Sequence, residues 1–120
     1  MDLRISERKS GNVTILDLRG RVVIGASNDS LTAQLRKLAE NAPCNVLINL
    51  TDVAQVDSSG ISTLVRSFVT IERGGGSLKM LNPSGHVREI LELTRLLSCF
   101  PTFSDEAEAL ASFRNTAAHA

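Results

Sequence analysis

A strand-like apolar run followed closely by a strongly periodic helix restricts the fold of this chain more than any other feature. Residues 45–50 form a short apolar run with β-branched members, a pattern typical of a central strand covered on both faces. The apolar residues that follow it share the spacing of a helix face: Ile61, Leu64, Val65, Phe68 and Val69. Three glycines at 74–76 end that helix. A strand, a helix and a second strand in this order need a crossover connection, so the pattern predicts a largely parallel sheet with helices packed against it.

Other segments have strand-like patterns on both sides of this unit. Residues 3–6 and 13–19 flank turn-forming residues at 10–12, which predicts an antiparallel hairpin. Residues 77–81 alternate like a strand. Residues 99–103 predict an edge strand, because Pro101 cannot donate a hydrogen bond to a central ladder.

Three further helices are predicted between and after these strands. The first opens at residues 26–29, whose short polar side chains can cap it, and stops before Pro43. The second has Pro83 at its first position, and the last begins near Ser104 or Asp105. Their inward-facing residues are expected, helix by helix, at Leu31, Leu35, Leu38 and Ala42; at Val87, Ile90, Leu91 and Thr94; and at Ala107, Leu110, Ala111 and Phe113.

Together these elements predict an α/β fold. We expect a mixed sheet with an opening antiparallel pair, mostly parallel strands after it, and about four helices. A chain of 120 residues suits one domain. That domain is expected to span residues 1–120, with its core at about 3–113 and a frayed tail at 115–120.

Composition argues against several kinds of ligand. Lysine plus arginine and aspartate plus glutamate both total 13, and the chain has four phenylalanines but neither tryptophan nor tyrosine. A neutral chain without stacking aromatics is not expected to bind nucleic acid. Cysteine and histidine do not occur at metal-ligand spacing, so neither a metal nor a cofactor is expected.

The cysteines and the apolar runs bear on the cellular compartment. Cys44 and Cys99 stand apart in the sequence, which favours reduced thiols, although a disulfide between them stays open. The apolar runs are far shorter than the roughly 18 residues that a membrane span needs, and the first residues have no signal-peptide core. We therefore expect a cytoplasmic protein that does not insert into a membrane.

The candidate site is the polar segment at residues 57–60, between the central strand and the periodic helix. Open α/β sheets place their sites at this carboxyl end of a strand. Asp57, Ser58 and Ser59 offer more capping groups than one helix start needs, so we expect a spare hydroxyl on Ser59 that faces solvent. A turn-and-cap without function explains the same residues, except that Gly60 in the first helical turn calls for a reason such as the close approach of another backbone.

An enzymatic role is not expected. The segment is not the G-x-S-x-G of a serine nucleophile, and a hydrolase would require His86 to lie near Ser59. The glycines at 74–76 follow a helix rather than a strand and lack the spacing of a phosphate-binding loop.

The order of elements and the sequence of residues 49–61 resemble the STAS domain of bacterial anti-sigma factor antagonists. The resemblance covers about residues 3–113, and its D-S-S-G-[IL] core corresponds here to Asp57, Ser58, Ser59, Gly60 and Ile61. It implies that Ser59 is phosphorylated, with the other four residues as supporting or partner-binding residues.

The resemblance also implies partners. The unmodified protein would bind an anti-sigma factor that is also a serine kinase, phosphorylation of Ser59 would release it, and a PP2C-type phosphatase would reverse the modification. The protein would be a monomer or weak dimer and a substrate rather than an enzyme. Many members carry an acidic residue where this chain has Val23, which leaves the partner contacts of residues 21–28 open. The alternative is a non-catalytic STAS subunit of a lipid or anion transport system or of a stress-signalling scaffold.

Overall fold

The computed structural model describes residues 3–83 and 85–118, with side chains as far as Phe113. The elements, in chain order, are β1 (Arg4–Ser10), β2 (Val13–Val22), α1 (Ala26–Ala39), β3 (Asn45–Val56), α2 (Ser58–Arg73), β4 (Ser77–Leu81), α3 (Gly85–Leu93), β5 (Thr102–Phe103) and α4 (Glu106–Ala118). The predicted α/β class, with its mixed sheet and its helices, is confirmed.

The strands form one sheet in the order in which they occur in the sequence, so β3 lies in the middle as predicted. β1 and β2 are antiparallel, and their register closes at Ser10 and Val13 around a tight turn in which Gly11 has a φ of 61°. The pairs β2 with β3, β3 with β4, and β4 with β5 are all parallel. Helices α1, α2 and α3 are the crossovers between these parallel neighbours.

Each face of the sheet carries its own hydrophobic core. The first core packs α1, α2 and α3 against alternating strand residues such as Val46 and Ile48. Between those two residues, Leu47 points to the opposite face and packs with Ala109 and Phe113 of α4. This alternation explains why residues 45–50 form a nearly continuous apolar run: the strand is covered on both sides.

The central strand is longer than predicted. Its pairing with β4 ends at Asn49, but its pairing with β2 continues past two register shifts to the pair Val22 and Val56. Half of residues 51–56 are polar and most of the six are exposed, so hydrophobicity alone did not mark them as strand. As a result β2 and β3 project beyond β4, and Asp57 lies at the tip of this two-stranded extension.

Four of the predicted inward-facing residues lie on the solvent side: Ala42, Val69, Thr94 and Ala107. Val69 is 39% exposed, because the buried side of α2 runs through Gly60, Thr63, Leu64 and Ile71. Thr94 is exposed and follows the end of α3, where its hydroxyl donates back to the Ile90 carbonyl at 2.8 Å. Ala107 is exposed too, since α4 turns Ala109 and Phe113 onto the sheet instead.

Several predicted boundaries also differ. Helix α1 ends at Ala39, so Ala42 lies outside it, in a turn with a cis peptide bond to Pro43. Helix α3 begins at Gly85 in the described residues, after a buried Pro83. The edge strand is confirmed but shorter, and Pro101 takes part only through its carbonyl, which accepts from the Met80 amide at 2.9 Å.

Helix α4 contacts a lysine that the strand pattern did not single out. The Lys79 side chain rises from β4 beneath α4, where its Nζ donates to Ser112 Oγ at 2.9 Å and lies 4.6 Å from the centre of the Phe113 ring. Burial lowers the pKa of this ammonium group. Helix α4 continues to Ala118, and residues 119–120 lie outside the described ranges, so the frayed tail stays a prediction.

The described residues agree with free thiols, since Cys44 and Cys99 are not joined to each other. Among the helices of residues 3–83 and 85–118, none combines the length and hydropathy needed to cross a bilayer. In the same ranges, histidine, cysteine and carboxylate side chains do not gather into a group that could hold a metal ion.

Candidate functional site

Asp57 is the N-cap of α2 and organises the candidate site. Its backbone is extended, and its Oδ1 accepts from the amides of Ser59 at 3.0 Å and Gly60 at 3.1 Å. Its own amide donates to the Val22 carbonyl at 3.2 Å. Two of the amides that open the helix are therefore satisfied by the side chain that the local sequence predicts as the cap.

The Ser59 hydroxyl is bonded rather than spare. It donates to Asp57 Oδ1 over 2.6 Å, and the residue is half-buried instead of projecting fully into solvent. The prediction of a spare hydroxyl on Ser59 was therefore wrong, although the residue is partly exposed. One carboxylate oxygen accepts from both the amide and the hydroxyl of Ser59, because both groups lie on the same side of the first helical turn.

The other carboxylate oxygen of Asp57 holds the loop between β2 and α1. Its Oδ2 accepts from the Ile24 amide at 2.9 Å. The Ile24 side chain is 79% exposed, and the adjacent Gly25 has a φ of 107°, a conformation that few other residues adopt. A single carboxylate thus joins an exposed apolar residue on one loop to the Ser59 hydroxyl at the start of α2.

Gly60 permits the close contact between α2 and β2. A Cβ atom at this position would lie 2.7 Å from the Val22 carbonyl oxygen and 2.9 Å from side-chain atoms of Val22 and Val56. Glycine is unfavourable in the first turn of a helix, so its presence there predicted a close approach of another backbone. The contact between α2 and β2 is that approach.

The remaining motif residues have different surroundings. Ser58 is exposed as the first residue of α2, whereas Ile61 is half-buried and packs against the first hydrophobic core. The structure therefore places Ser58 at the exposed start of α2, next to the half-buried Ser59, and Ile61 against the core. His86 is exposed at the start of α3, and Ser59 Oγ donates to a carboxylate rather than to an imidazole, which is not the arrangement of a serine nucleophile.

A second layer of polar contacts supports the first turn of α2 from α1. Thr63 Oγ1 lies 2.7 Å from Asn28 Oδ1 and 3.1 Å from the Ser59 carbonyl oxygen. The predicted capping residues at the start of α1 therefore have other roles, and the N-cap of α1 is Gly25, without a side-chain cap. Ser27 Oγ accepts from the Val23 amide at 3.1 Å and donates to its carbonyl at 2.8 Å.

Sequence reasoning missed Ile24 and the pair formed by Asn28 and Thr63. A large apolar residue directly before a loop glycine was a usable signal for Ile24. The contact between Asn28 and Thr63 joins two helices that are far apart in sequence, so no local pattern could have indicated it.

The electrostatics of the site follow from these contacts. The hydrogen bond from the Ser59 hydroxyl, followed by that from the Ile24 amide, holds the pKa of the Asp57 carboxyl below its ordinary value. Asp57 is thus ionised at neutral pH, next to the positive end of the α2 dipole. A phosphate on Ser59 would place a second negative charge beside this carboxylate. It would also replace the hydroxyl hydrogen that Ser59 now donates to Asp57.

Replacing Asp57 with Asn is expected to lower the free energy of unfolding by about 1 kcal/mol at neutral pH, because the amide cannot accept from Ser59 and Ile24 at once. The pKa of Asp57 is lower in the folded protein than in the unfolded chain, where it is about 3.9. The ionised carboxylate therefore stabilises the fold at pH values above about 3.9, and this stabilisation is lost as the pH falls through the pKa of the folded state. The difference between the two proteins should therefore shrink below about pH 4.

Denaturant unfolding of both proteins at pH 7 and in steps below pH 5 measures this effect. Asp52→Asn is the matched control, since Asp52 is exposed and lies 3.7 Å from Arg19; it should change the free energy of unfolding by less than about 0.5 kcal/mol at any pH. A constant Asp57→Asn deficit across the pH range would contradict the assigned ionisation.

Comparison with known proteins identifies the fold and the family. The model of the STAS domain matches residues 4–109. The anti-sigma-B factor antagonist of Bacillus subtilis is 28% identical over 96 residues, which cover 80% of this chain and 86% of that protein.

Solved structures agree with this match. The crystal structure of an anti-sigma factor antagonist from Mycobacterium paratuberculosis superposes with a TM-score of 0.81 at 18% identity, covering 94% of this chain and 95% of the other. The structure of the Bacillus cell fate determinant SpoIIAA in the phosphorylated form superposes with a TM-score of 0.73 at 17% identity, covering 91% and 98%. At these identities the superpositions establish the fold, while the family model covers most of the sequence, and on that basis the chain belongs to the STAS domain family.

Proposed function

We propose that this protein is an anti-sigma factor antagonist whose partner binding is switched by phosphorylation of Ser59. Relatives that match over most of their length carry the name of anti-sigma factor antagonists. The partner is an anti-sigma factor with serine kinase activity, and a PP2C-type phosphatase reverses the modification. The protein is the substrate of both enzymes.

The observation that carries this proposal is the 2.6 Å hydrogen bond from Ser59 Oγ to Asp57 Oδ1. In the phosphoryl transfer, Ser59 Oγ bonds to the γ-phosphorus of ATP, the bond from that phosphorus to ADP breaks, and the hydroxyl proton leaves. The donor to Asp57 then no longer exists, and a group carrying about −1.5 to −2 charges stands beside the carboxylate. Modification therefore acts directly on the contact that organises the site.

The same contact explains how one phosphate changes a larger surface. Asp57 also binds the Ile24 amide, and the Ile24 side chain is exposed next to the start of α2. We take this exposed apolar residue and the first turn of α2 as the surface that the anti-sigma factor contacts. The helix amides accommodate an anion, so the fold survives while the surface becomes strongly negative.

Ser58 is a less suitable acceptor in spite of its greater exposure. Its side chain lies on the outer surface at the first position of α2, while the carboxylate of Asp57 accepts from the amide and hydroxyl of Ser59. A phosphate on Ser58 would leave the contacts between Asp57 and Ser59 formed.

Replacing Ser59 with Ala is expected to abolish phosphorylation and to change the affinity for the unphosphorylated partner by less than about threefold, because the apolar surface and the capping contacts to the backbone remain. The measurement is incubation with the kinase-active anti-sigma factor of the same organism and ATP, followed by mass spectrometry of the intact protein and of its peptides.

The native chain should gain one phosphate on Ser59, and the Ser58→Ala control should gain the same phosphate. Modification confined to Ser58, or none with a kinase that phosphorylates itself or another substrate, would contradict the proposal. Stable co-purification with a membrane ATPase, without phosphorylation, would instead favour the non-catalytic transport subunit.

A further inference from the structure

A groove between α1 and α2 has the composition of an anion site, and Asp57 is not among the residues that line it. Its cavity volume is about 230 Å³. Residues from both helices line it: Thr32, Leu35, Arg36 and Ala39 from α1, and Thr63, Arg66, Ser67 and Thr70 from α2. This lining contains two arginines, four residues that carry a hydroxyl group and no acidic residue.

The two arginines lack carboxylate partners in the described part of the chain. Neither Arg36 nor Arg66 takes part in an ion pair within 4.0 Å among the described side chains. They lie on facing helices, both are exposed, and both line one cavity. Guanidinium groups bind phosphate and carboxylate through paired hydrogen bonds, so an anion in this cavity could pair with both arginines.

Another arginine of the protein shows the opposite arrangement. Arg8, on the sheet face beside α4, lies 2.6 Å from Asp17 and 2.6 Å from Glu106, so its charge is neutralised within the fold. Pocket walls that contain Arg8 and Arg19 also contain Asp17 and Asp52. The groove between α1 and α2 differs from that pocket, because two arginines line it and no acidic residue does.

The floor and the walls of the groove have different chemistry. Leu35 and Thr63 are buried and form the floor, with Thr32 Oγ1 and Thr63 Oγ1 3.2 Å apart. Ser67 is half-buried on the wall, and Thr70 is exposed near the open end. An occupant therefore meets the hydroxyl groups of Ser67 and Thr70 on α2 and a small apolar surface from Ala39.

We propose that this groove binds a small phosphate monoester, with Arg36 and Arg66 holding the phosphate between the two helices. The near-double negative charge of a phosphate monoester matches two arginines, and its three terminal oxygens can accept from guanidinium and hydroxyl groups together. The cavity is smaller than the roughly 300 to 1,000 Å³ of sites for drug-sized ligands, so the carbon part of the ligand is short and packs on Ala39.

The test is an NMR titration of the intact, unphosphorylated protein labelled with ¹⁵N, at about 0.15 M salt, where nonspecific surface attraction is screened. Inorganic phosphate and glycerol phosphate are the probes. Both should give saturable shifts at the amides of Thr32, Ser67 and Thr70, with glycerol phosphate binding more tightly. Arg36→Gln and Arg66→Gln should each raise the dissociation constant about tenfold or more.

Lys37→Gln is the matched control, because it removes one positive charge from α1 at an exposed residue outside the groove lining. It should raise the dissociation constant by less than about threefold. Circular dichroism melting of all three variants should match that of the native protein. The proposal is overturned if shifts spread evenly over the basic surface, or if Lys37→Gln weakens binding as much as Arg66→Gln.

A further arm separates a soluble monoester from a lipid headgroup. Vesicles containing an anionic phospholipid should not sediment the protein, because the groove is recessed between two helices. Vesicle binding that depends on Arg36 and Arg66, without saturable shifts by glycerol phosphate, would overturn the proposal. It would identify a membrane surface, and not a soluble monoester, as the ligand. Since Ser59 does not line the groove, Ser59→Ala should bind glycerol phosphate like the native chain, so this test and the phosphorylation test fail independently.

Discussion

Replacing Ser59 with Asp is expected to weaken binding to the proposed partner, an anti-sigma factor, by about a hundredfold, which corresponds to roughly 2.7 kcal/mol. The new carboxylate stands beside Asp57 and cannot donate the hydrogen bond that Ser59 Oγ now makes at 2.6 Å. Repulsion between the two carboxylates disturbs the carboxylate that also holds Ile24. The partner then meets an added negative charge that it has to desolvate.

The fold should tolerate this change. The loss of one hydrogen bond and the added like charge cost about 1 kcal/mol, partly offset by the attraction of an anion to the start of α2. The melting temperature should therefore fall by no more than about 4 to 8 °C. Calorimetric titration with the partner and a thermal melt measure the two quantities on the same sample.

Ser58→Asp is the matched control for charge at this helix start. It adds the same charge one residue earlier, at an exposed position, while Ser59 keeps its hydrogen bond to Asp57. We expect it to weaken binding by less than about tenfold. An equal loss of affinity in both variants would show that charge alone acts, without the contact between Ser59 and Asp57. A collapse of the fold in Ser59→Asp would show that the helix start does not accommodate an anion.

Replacing Gly60 with Ala is expected to destabilise the protein by about 3 kcal/mol, at the upper end of the range for an added methyl group in a packed region. The new Cβ would lie 2.7 Å from the Val22 carbonyl oxygen, which is backbone and also accepts from the Asp57 amide. Either α2 moves away from β2 or that hydrogen bond is lost. Equilibrium unfolding in urea gives the change directly.

Gly74→Ala is the control for Gly60→Ala. Gly74 ends α2 with a φ of −80°, and its nearest contact would be the Ala42 Cβ at 3.1 Å, a side-chain atom in a turn that can shift by a few tenths of an ångström. We expect a change of less than about 1 kcal/mol. If Gly60→Ala proved as mild as Gly74→Ala, the close approach of α2 to β2 would not constrain the site.

Local patterns predicted the elements best where one face had to be buried. The apolar run at 45–50 and the spacing of Leu64 and Phe68 correctly predicted a central strand and the following helix. The same reasoning failed for residues 51–56, which are strand although mostly exposed, because their pairing with β2 supplies hydrogen bonds without burying their side chains. It also misplaced Val69, since the spacing of apolar residues does not say which part of a wide apolar face meets the sheet.

The sequence by itself determined which groups are present at the start of α2. Asp57, two serines and a glycine at consecutive positions predict an N-cap and a close backbone contact, because capping and glycine geometry depend on neighbours within a few residues. Tertiary structure alone decided that the second oxygen of Asp57 binds Ile24 and that Arg36 and Arg66 face one groove. These contacts join segments about thirty residues apart, and only the packing of the crossover helices on the sheet brings them within hydrogen-bond distance or onto one cavity.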